Sequence, residues 1–396
     1  MKRVVKNNVS WVGKIDWELR TFHGDDFSVH HGSSQNAYLI EEEKTVLVDT
    51  VWAPHAKEFV DNLEKELGDL NKIDFIVMNH GEVDHSGALP LLMERIPETP
   101  IYCTANCVKS LVGQYHHPEW NFKTVKTGDS VDVGNGKSLV FVEMRMLHWP
   151  DSMATYLTED NVLFSNDAFG QHYGVKELFN DKADQCLLYG EAIKYYANIL
   201  APFSALVKRK IEEIVSMGIP IDIIATSHGV IWRDNPLQIV EKYAQWADNY
   251  QEDQITIVYD TMWDGTKALA HALASEVQQQ SPETVVKVFN VSQTDKNDIM
   301  TEVFKSKAIA VGSPTVSRSI LSSVAGWMHF LYELQFKGKK AAAFGCYGWS
   351  GESPGELEEL LKKAGFEVVG PPAKVSWNPT EEDLASMAEL AKVLLA

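Results

Sequence analysis

The sequence predicts an α/β fold built of two layered domains that meet near residue 250. The first part of the chain alternates short apolar β-like runs with amphipathic helical segments. The polar segment 247–254 interrupts this pattern, and a regular succession of strand, loop and helix begins at Ile255. We therefore predict one domain over 1–250 and a second over 254–396, joined by a short linker. A chain of 396 residues is long enough for two or three domains with ample cores.

The elements of the first domain follow from hydrophobic periodicity. Two strand-like runs, 37–40 and 45–48, come before an amphipathic helix over 56–67. A buried-type strand over 74–79 follows, and a helix spans roughly 87–95. In layered α/β folds the loops that follow strands gather binding sites, so the residues after each strand are the place to look for chemistry.

The strongest chemical signal is a set of His, Asp and Glu side chains that follow strand-like runs. Four of them fall within six positions directly after the 74–79 run, and three more follow later β-like runs. Buried imidazoles and carboxylates packed this closely require a cation to organise them, whereas the alternative is a solvated acidic loop with incidental histidines. We predict a metal site, with these candidate ligands: His80, Glu82, Asp84, His85, His148, Asp167 and His228.

The number and types of these ligands favour two metal ions. The set exceeds what one ion accepts, and a carboxylate such as Asp167 can bridge two ions about 3.5–4 Å apart. Imidazoles and carboxylates without a thiolate are compatible with zinc and favour iron or manganese. Asp49, which closes the 45–48 strand, is predicted to hold the metal loop in place and not to bind the metal.

The second domain carries three loops that predict a flavin site. Strand 255–259 leads into the hydroxyl-rich loop 260–266 at a helix N-terminus, which is a ready phosphate site. The segment 309–315 contains a second apolar strand and the loop that ends it. The segment 341–351 contains a third strand and a glycine-rich loop, where aromatic side chains can hold a flat ring. FMN is favoured over NAD because no Gly-x-Gly-x-x-Gly follows the first strand. The predicted cofactor-binding residues are Thr261, Met262, Trp263, Asp264, Gly265, Thr266, Ser313, Pro314, Thr315, Val316, Cys346, Tyr347, Gly348, Trp349, Ser350 and Gly351.

The motif His-x-Glu-x-Asp-His at 80–85 resembles the metallo-β-lactamase signature His-x-His-x-Asp-His, with Glu82 in place of the second histidine. From His85 onward, 62, 18 and 60 residues separate the successive candidates up to His228. With the three C-terminal loops, which resemble those of flavodoxin, the chain resembles flavodiiron proteins over essentially its whole length. The resemblance implies a metallo-β-lactamase-like αββα sandwich followed by a flavodoxin-like doubly wound parallel sheet.

The resemblance also implies how the ligands divide. His80, Glu82, His148 and Asp167 would bind one iron, while Asp84, His85, Asp167 and His228 would bind the other. The counterpart of His85 lies off the metal in some members of the family. The phosphate loop departs from the flavodoxin pattern Thr-x-Thr-Gly-x-Thr at Trp263 and Asp264. We therefore expect backbone N–H groups to carry more of the phosphate binding, with Asp264 facing away.

The function that the resemblance implies is reduction of O2 to water, of NO to N2O, or of both. Reduction of O2 to two waters takes four electrons, which two ferrous ions and reduced FMN supply together, and reduction of two NO takes two electrons. His172 and Tyr196 are candidates to line the substrate pocket. A dinuclear zinc hydrolase with an accessory flavodoxin-like domain is the alternative, and an electron carrier with a structural metal is another.

Composition bounds the partners and the location. The chain has 36 basic and 55 acidic residues, a net charge of −19, which disfavours nucleic acid and anionic membranes. The N-terminus lacks the apolar segment that would predict a signal peptide, and no apolar run is long enough to predict a membrane span. The four cysteines form no Cys-x-x-Cys pair, so we expect reduced thiols, a cytoplasmic location and no rubredoxin module on this chain. The resemblance implies a rubredoxin-like electron donor, which would then be a separate protein. The resemblance implies a head-to-tail homodimer, with a dimer of dimers left open.

Overall fold

The computed structural model describes residues 2–396 and divides them into two compact units. The first unit comprises the residues up to Tyr195 together with Phe203–Ala244, and the second comprises Tyr196–Pro202 together with Gln245–Ala396. The domain ranges 1–250 and 254–396 stay predictions. Among the described residues, no helix is both long enough and apolar enough to cross a lipid bilayer.

The first unit is built on two mixed sheets. The larger sheet has the order β1-β2-β7-β8-β9-β10-β11, and its last four strands run parallel to one another. The smaller sheet has the order β12-β13-β14-β15-β16 and is antiparallel up to its last, parallel pair. The strands are β1 Arg3–Lys6, β2 Val9–Trp11, β3 Lys14–Asp16, β4 Thr21–Phe22, β5 Phe27–Ser28, β6 Ser33–Gln35, β7 Tyr38–Glu41, β8 Thr45–Val48, β9 Ile73–Val77, β10 Ile101–Thr104, β11 Phe122–Val125, β12 Ser130–Gly134, β13 Lys137–Glu143, β14 Met153–Leu157, β15 Val162–Asn166 and β16 Ile223–Thr226.

Alternate residues of these strands build two core layers. Val46, Val48 and Phe75 face the interior between the sheets, where they join Phe141 and Phe164 of the smaller sheet. Residues of the opposite parity pack instead against helices on the outer face of the larger sheet, which gives the layered α/β arrangement. The helices of this unit are α1 Ala56–Leu67, α2 Val83–Ser86, α3 Leu89–Arg95, α4 Ala105–Tyr115, α5 Gln185–Tyr195, α6 Ser204–Ser216 and α7 Leu237–Trp246, the last of which runs into the second unit.

The second unit is a doubly wound sheet in which all strands are parallel. The strand order is β18-β17-β19-β20-β21, and β22 also pairs with β20. The direction of the strand order reverses beside β17, and folds of this kind bind ligands at that point. Its strands are β17 Glu252–Tyr259, β18 Val285–Asn290, β19 Ser306–Gly312, β20 Lys340–Tyr347, β21 Glu367–Val368 and β22 Ala373–Ser376. Its helices are α8 Gly265–Gln280, α9 Lys296–Lys305, α10 Ser322–Leu334, α11 Ser353–Lys363 and α12 Glu381–Leu395.

Candidate functional site

The strand ends of the first unit hold the predicted metal ligands. Residues 80–85 follow β9, and His148 lies in the loop between β13 and β14. Asp167 follows β15 directly, and His228 follows β16. All of these side chains are buried or nearly so. The folded chain therefore brings together the seven side chains that sequence spacing selected.

Two imidazoles and one carboxylate form a first donor group beside Asp167. The Nε2 atoms of His80 and His148 lie 3.1 and 3.4 Å from Glu82 Oε2. The same two nitrogens lie 3.6 and 3.5 Å from Oδ2 of Asp167. The donor atoms of His80, Glu82 and His148 all lie within 4.8 Å of one another, which is a spacing that suits a shared cation.

The other oxygen of Asp167 faces a second group. The Nε2 atoms of His85 and His228 lie 3.2 and 3.1 Å from Oδ2 of Asp84. They lie 3.1 and 3.5 Å from Oδ1 of Asp167. The carboxylate of Asp167 thus stands between two donor groups and offers one oxygen to each, as a carboxylate that bridges two metal ions does.

The donor atoms themselves fit metal ions. Asp84 Oδ1, Asp167 Oδ2 and His85 Nε2 are buried without an aligned hydrogen-bond partner, which is costly unless a cation occupies the space between them. Burial opposes protonation of His80, but hydrogen bonds to Asp151 and Glu82 outweigh it and raise the pKa of His80 to about 10. The carboxylates around this ring thus favour positive charge at the site, which divalent cations would supply.

Groups outside the predicted set orient two of the imidazoles. His80 Nδ1 lies 2.9 Å from Oδ1 of buried Asp151, whose Oδ2 accepts a 3.1 Å hydrogen bond from the Gly81 N–H. His228 Nδ1 lies 2.8 Å from the carbonyl oxygen of Ser34. Both contacts fix the ring with Nε2 directed at the carboxylates. Asp151 is not among the predicted residues, although it lies three residues after His148 in the same loop.

Asp49 stabilises the start of the loop 80–85, the role predicted for it from sequence. Its Oδ1 accepts a 2.7 Å hydrogen bond from the backbone N–H of Asn79, and its Oδ2 lies 3.2 Å from Asn79 Nδ2. Burial raises the pKa of Asp49 to about 6, even though the nearby imidazole of His85 and the Asn79 hydrogen bonds lower it. Asp49 belongs to none of the donor groups found among the described residues.

His172 lies beside the second donor group. Its ring centroid is 5.0 Å from that of His228, its Nδ1 is 2.8 Å from Ser33 Oγ, and its Nε2 is buried without a partner. Burial, together with the charge of His228, holds the pKa of His172 well below its usual range. The rings of Phe22, Phe27 and Tyr195 pack on it, with centroid distances of 4.6, 5.2 and 5.2 Å.

Tyr196, a predicted pocket residue, lies in the core of the second unit. It starts a π-helical turn, Tyr196–Leu200, in the second unit, and its ring packs against Trp246 and Phe304 at 5.5 and 5.6 Å. The ring is fully buried there, so its aromatic faces serve the core of that unit. Tyr195, one position earlier, is the tyrosine whose ring lies beside His172.

His23, which is not among the predicted ligands, is a further neighbour of the donor groups. Its Nε2 lies 3.4 Å from Glu82 Oε1, and its ring centroid lies 6.1 Å from that of His148. It follows β4, in a hairpin far upstream of the metal loop, so no local spacing signals the contact. Phe22, which precedes it, packs on His172 at 4.6 Å and gives this side of the site an apolar wall.

A cavity of about 400 Å³ lies at the carboxyl ends of β17, β19 and β20 in the second unit. Most of its wall was predicted from sequence: Thr261, Met262, Trp263, Gly265, Thr266, Pro314, Thr315, Cys346, Tyr347, Gly348 and Trp349. Trp377 and Asn378 complete the wall and were not predicted.

The remaining predicted flavin residues, Asp264, Ser313, Val316, Ser350 and Gly351, are not part of this wall. The Asp264 side chain is 79 % exposed and lies 3.7 Å from Lys267 Nζ, so it faces away as expected. Ser313 has a structural role, because its Oγ accepts a 3.0 Å hydrogen bond from the Leu321 N–H and its carbonyl accepts one from Ser353. Gly351 leaves room for the Tyr347 ring, since a Cβ there would lie 2.9 Å from that ring.

The cavity fits a flat aromatic ring with a phosphate tail. The hydroxyls of Thr261 and Thr266 are buried without hydrogen-bond partners, and they stand where helix α8 begins. Unpaired hydroxyls and free N–H groups at a helix N-terminus are suited to bind a phosphate. Tyr347 and Trp349 supply aromatic surface on another part of the wall.

Comparisons with known proteins match both parts of the chain. The sequence pattern of the ODP family beta lactamase matches residues 33–229, and that of flavodoxin matches residues 257–389. The anaerobic nitric oxide reductase flavorubredoxin of Vibrio vulnificus (strain YJ016) is 56% identical over 375 residues, which cover 95% of this chain and 76% of the relative. The flavorubredoxin of Escherichia coli O1:K1 / APEC is 55% identical, over 97% of this chain and 80% of the relative.

Solved structures are similar over the whole length. Rubredoxin oxygen:oxidoreductase from Desulfovibrio gigas has a TM-score of 0.96 at 35% identity, covering 100% of this chain and 98% of the other. The flavodiiron protein from Giardia intestinalis has a TM-score of 0.92 at 30% identity, covering 100% and 97%. These similarities confirm the predicted fold class, a metallo-β-lactamase-like domain followed by a flavodoxin-like domain. The chain is a member of the flavodiiron protein family.

Proposed function

We propose that this chain is a flavodiiron oxidoreductase that reduces NO to N2O, O2 to water, or both. The observation that carries the proposal is the position of Asp167, with one carboxylate oxygen toward each of two imidazole–carboxylate groups. The names of the relatives support the reaction, since some are nitric oxide reductases and one is an oxygen oxidoreductase.

We assign the ligands by these two groups. His80, Glu82 and His148 hold one iron, and Asp84, His85 and His228 hold the other, with Asp167 shared between them. The distances from the imidazole nitrogens to the Asp167 oxygens support this division. Two bound irons would supply two electrons and open coordination positions for a diatomic ligand.

The protein side chains around the irons prepare the pocket. Asp151 and the Ser34 carbonyl hold the rings of His80 and His228 in the orientation that presents Nε2 to the metal. We propose that His172 lines the substrate pocket, because its buried Nε2 has no partner within the described chain and can form one further hydrogen bond. Phe22 packs on the His172 ring and excludes water from that side.

The second unit is proposed to deliver electrons through FMN. Thr261 and Thr266 would hold the phosphate, and Tyr347 and Trp349 would contact the ring system. The external donor is proposed to be rubredoxin or a similar small redox protein. The name of the Desulfovibrio gigas relative, a rubredoxin oxygen:oxidoreductase, supports this choice.

We further propose a homodimer in the cytoplasm, with domains over 1–250 and 254–396. Cofactors that belong to different domains exchange electrons at useful rates only in near contact, and a head-to-tail dimer can provide that contact between chains. The four cysteines are all free thiols, which is typical of a reducing compartment.

The zinc hydrolase alternative is disfavoured by two observations. Glu82 occupies the place where zinc hydrolases of the metallo-β-lactamase type carry a histidine, which adds a hard oxygen donor to the site. The flavodoxin-like unit, whose Thr261 and Thr266 are proposed to bind a phosphate, has no role in hydrolysis.

Composition and turnover of the purified protein test the proposal. We expect about two irons and about one FMN per chain, in line with a dinuclear site and one flavin cavity. The reduced protein should consume NO anaerobically and O2 aerobically, and the ratio of the two rates identifies the preferred substrate. Zinc alone, with β-lactam or thioester hydrolysis and no flavin absorbance, would contradict the proposal.

A further inference from the structure

A fourth strand end contributes to the flavin cavity. Strand β22 pairs in parallel with β20 so that Ser376 lies opposite Tyr347, and Trp377 is the next residue along the chain. Because parallel strands end at the same edge of the sheet, Trp377 and Asn378 reach the cavity beside the glycine-rich loop. This segment lies outside the three loops that the flavodoxin pattern predicts.

The backbone of Trp377 is fixed by a hydrogen bond, while its indole ring is largely exposed. Its backbone N–H donates a 2.6 Å hydrogen bond to the Tyr347 carbonyl. The ring lies directly over the neighbouring loop, because a Cβ on Gly348 would lie 3.2 Å from its Cη2. Its centroid is 6.4 Å from that of Trp349, at an interplanar angle of 53°. The side chain nevertheless remains 67% exposed.

The backbone of Trp377 makes this placement costly. Its φ is +60°, in the left-handed region that glycine or asparagine occupies with less strain. Burial does not compensate for the strain, because most of the indole faces the cavity and solvent. A strained residue with an exposed aromatic ring in a cofactor cavity indicates that the ring serves a ligand and not the fold.

We propose that Trp377 is a flavin-binding residue whose indole packs against the isoalloxazine ring of FMN. With Trp349, 90% exposed on the neighbouring loop, it gives the cavity two aromatic surfaces held by separate strand ends. A flat conjugated ring suits such surfaces, because stacking uses their area without a need for hydrogen bonds. The inference rests on the proposed FMN site and adds a residue to it.

The test uses full-length protein stripped of FMN and titrated with FMN by calorimetry. Trp377→Ala should raise the Kd for FMN about tenfold or more, in line with the loss of one aromatic stacking partner. Trp377→Phe should recover most of that loss. The control is Trp17→Ala, which removes a 51% exposed tryptophan of the other unit and should leave the Kd unchanged.

A further variant separates binding from folding. Trp377→Asn places a residue that tolerates a positive φ at this position, so the FMN-free protein should melt at the same temperature or higher. The rise in melting temperature on adding FMN should be smaller than in the wild type. This combination is expected of a ligand-binding residue, whereas a structural residue would lower the melting temperature of the FMN-free protein.

The outcomes distinguish this inference from the proposed function. If the wild type fails to bind FMN, the proposed cofactor is wrong. If the wild type binds FMN and the Ala and Asn variants bind within twofold of it, the role of Trp377 is refuted. Unchanged FMN affinity with altered subunit association by sedimentation would also refute it, since the indole would then serve a protein contact.

Discussion

At the residue scale, the carboxylate of Asp167 is the group on which both donor sets depend. His85 and His228 lie near its Oδ1, while His80 and His148 lie near its Oδ2, so one side chain serves both. Removal of a shared ligand should affect both metals, whereas removal of His148 should affect directly only the group that contains it.

We therefore predict that Asp167→Ala and His148→Ala lose iron and activity while they retain FMN. Asp167→Ala should lose most of both irons, and His148→Ala should lose about one of the two. The measurements are iron by metal analysis, flavin by absorbance, and NO and O2 consumption. His117→Ala, which replaces an exposed histidine paired with Glu119, is the control and should keep its iron. Full iron occupancy with near-normal reduction in both variants would show that the ligands are misassigned.

Asp151 should matter through His80 and not through the metal directly. It accepts hydrogen bonds from the His80 ring and from the Gly81 N–H, so it holds both the ring and its loop. Asp151→Asn is expected to weaken iron binding about 10–100-fold, the usual effect of losing such an orienting carboxylate. Dialysis against graded chelator concentrations measures the change, with Asp61→Asn on the exposed face of α1 as control. Iron retention equal to that of the wild type would remove Asp151 from this role.

At the element scale, an ionic cluster joins the two sheets of the first unit. Lys137 on β13 lies 2.6 Å from Glu42, which follows β7, and 2.7 Å from Asp160 in the turn after β14. All three side chains are mostly buried. Burial alone would raise the pKa of Glu42, but hydrogen bonds from Lys137, Asn135 and Asn8 outweigh it and lower that pKa.

Lys137→Met should therefore destabilise the protein in a pH-dependent way. The folded state lowers the pKa of Glu42, so the stability that this provides is present above its ordinary pKa of 4.5 and is lost as the pH falls below it. We expect a loss of about 1–3 kcal/mol in the free energy of unfolding at pH 7, and a smaller difference from the wild type near pH 4. Urea unfolding of both proteins at the two pH values measures it.

The matched control for this variant is Lys57→Met. Lys57 pairs with Asp61 on the exposed face of α1, where an ion pair contributes little. Its removal should change stability only slightly at either pH. An equal loss in Lys137→Met at both pH values would show that the packing of the lysine stem, and not the charge of Glu42, accounts for the effect.

Local patterns predicted the elements well where a face is strongly apolar. The helix expected over 56–67 and the strand over 45–48 have those bounds in the structure, because their apolar periods are clear. The linker expected over 247–254 is partly wrong, since β17 begins at Glu252. Its first residues are polar but pair with neighbouring strands, and such pairing is not visible in local composition.

The site shows the same division between local and distant information. The candidate metal ligands, which the fold brings together, could be selected from sequence because four of them stand within six positions of one another and the others follow strands. His23 and Trp377 were missed because each reaches its site from a distant segment, and neither belongs to a local motif. Only the folded chain relates Trp377 to Gly348, through the pairing of β22 with β20.

At the scale of the whole molecule, the metal groups and the flavin cavity belong to different compact units. Electron transfer between cofactors of different units requires a contact between the two sites, and chain connectivity alone does not guarantee that contact. The proposed head-to-tail dimer offers a different route, in which the flavin of one subunit serves the irons of the other. A two-fold axis then repeats the same contact twice.

We predict that two inactive variants restore activity when their subunits are mixed. One variant, Trp349→Ala combined with Thr261→Ala, lacks FMN, and the other, Asp167→Ala, lacks iron. If electrons cross only between subunits, each mixed dimer keeps one FMN that faces one intact iron pair. Half of the dimers are mixed, and each of these has one working site out of two. Activity should therefore recover to roughly a quarter of the wild-type level. NO and O2 consumption are measured after exchange is verified by mass-labelled subunits. No recovery despite proven exchange, or a fully active monomer in sedimentation, would exclude the crossed arrangement.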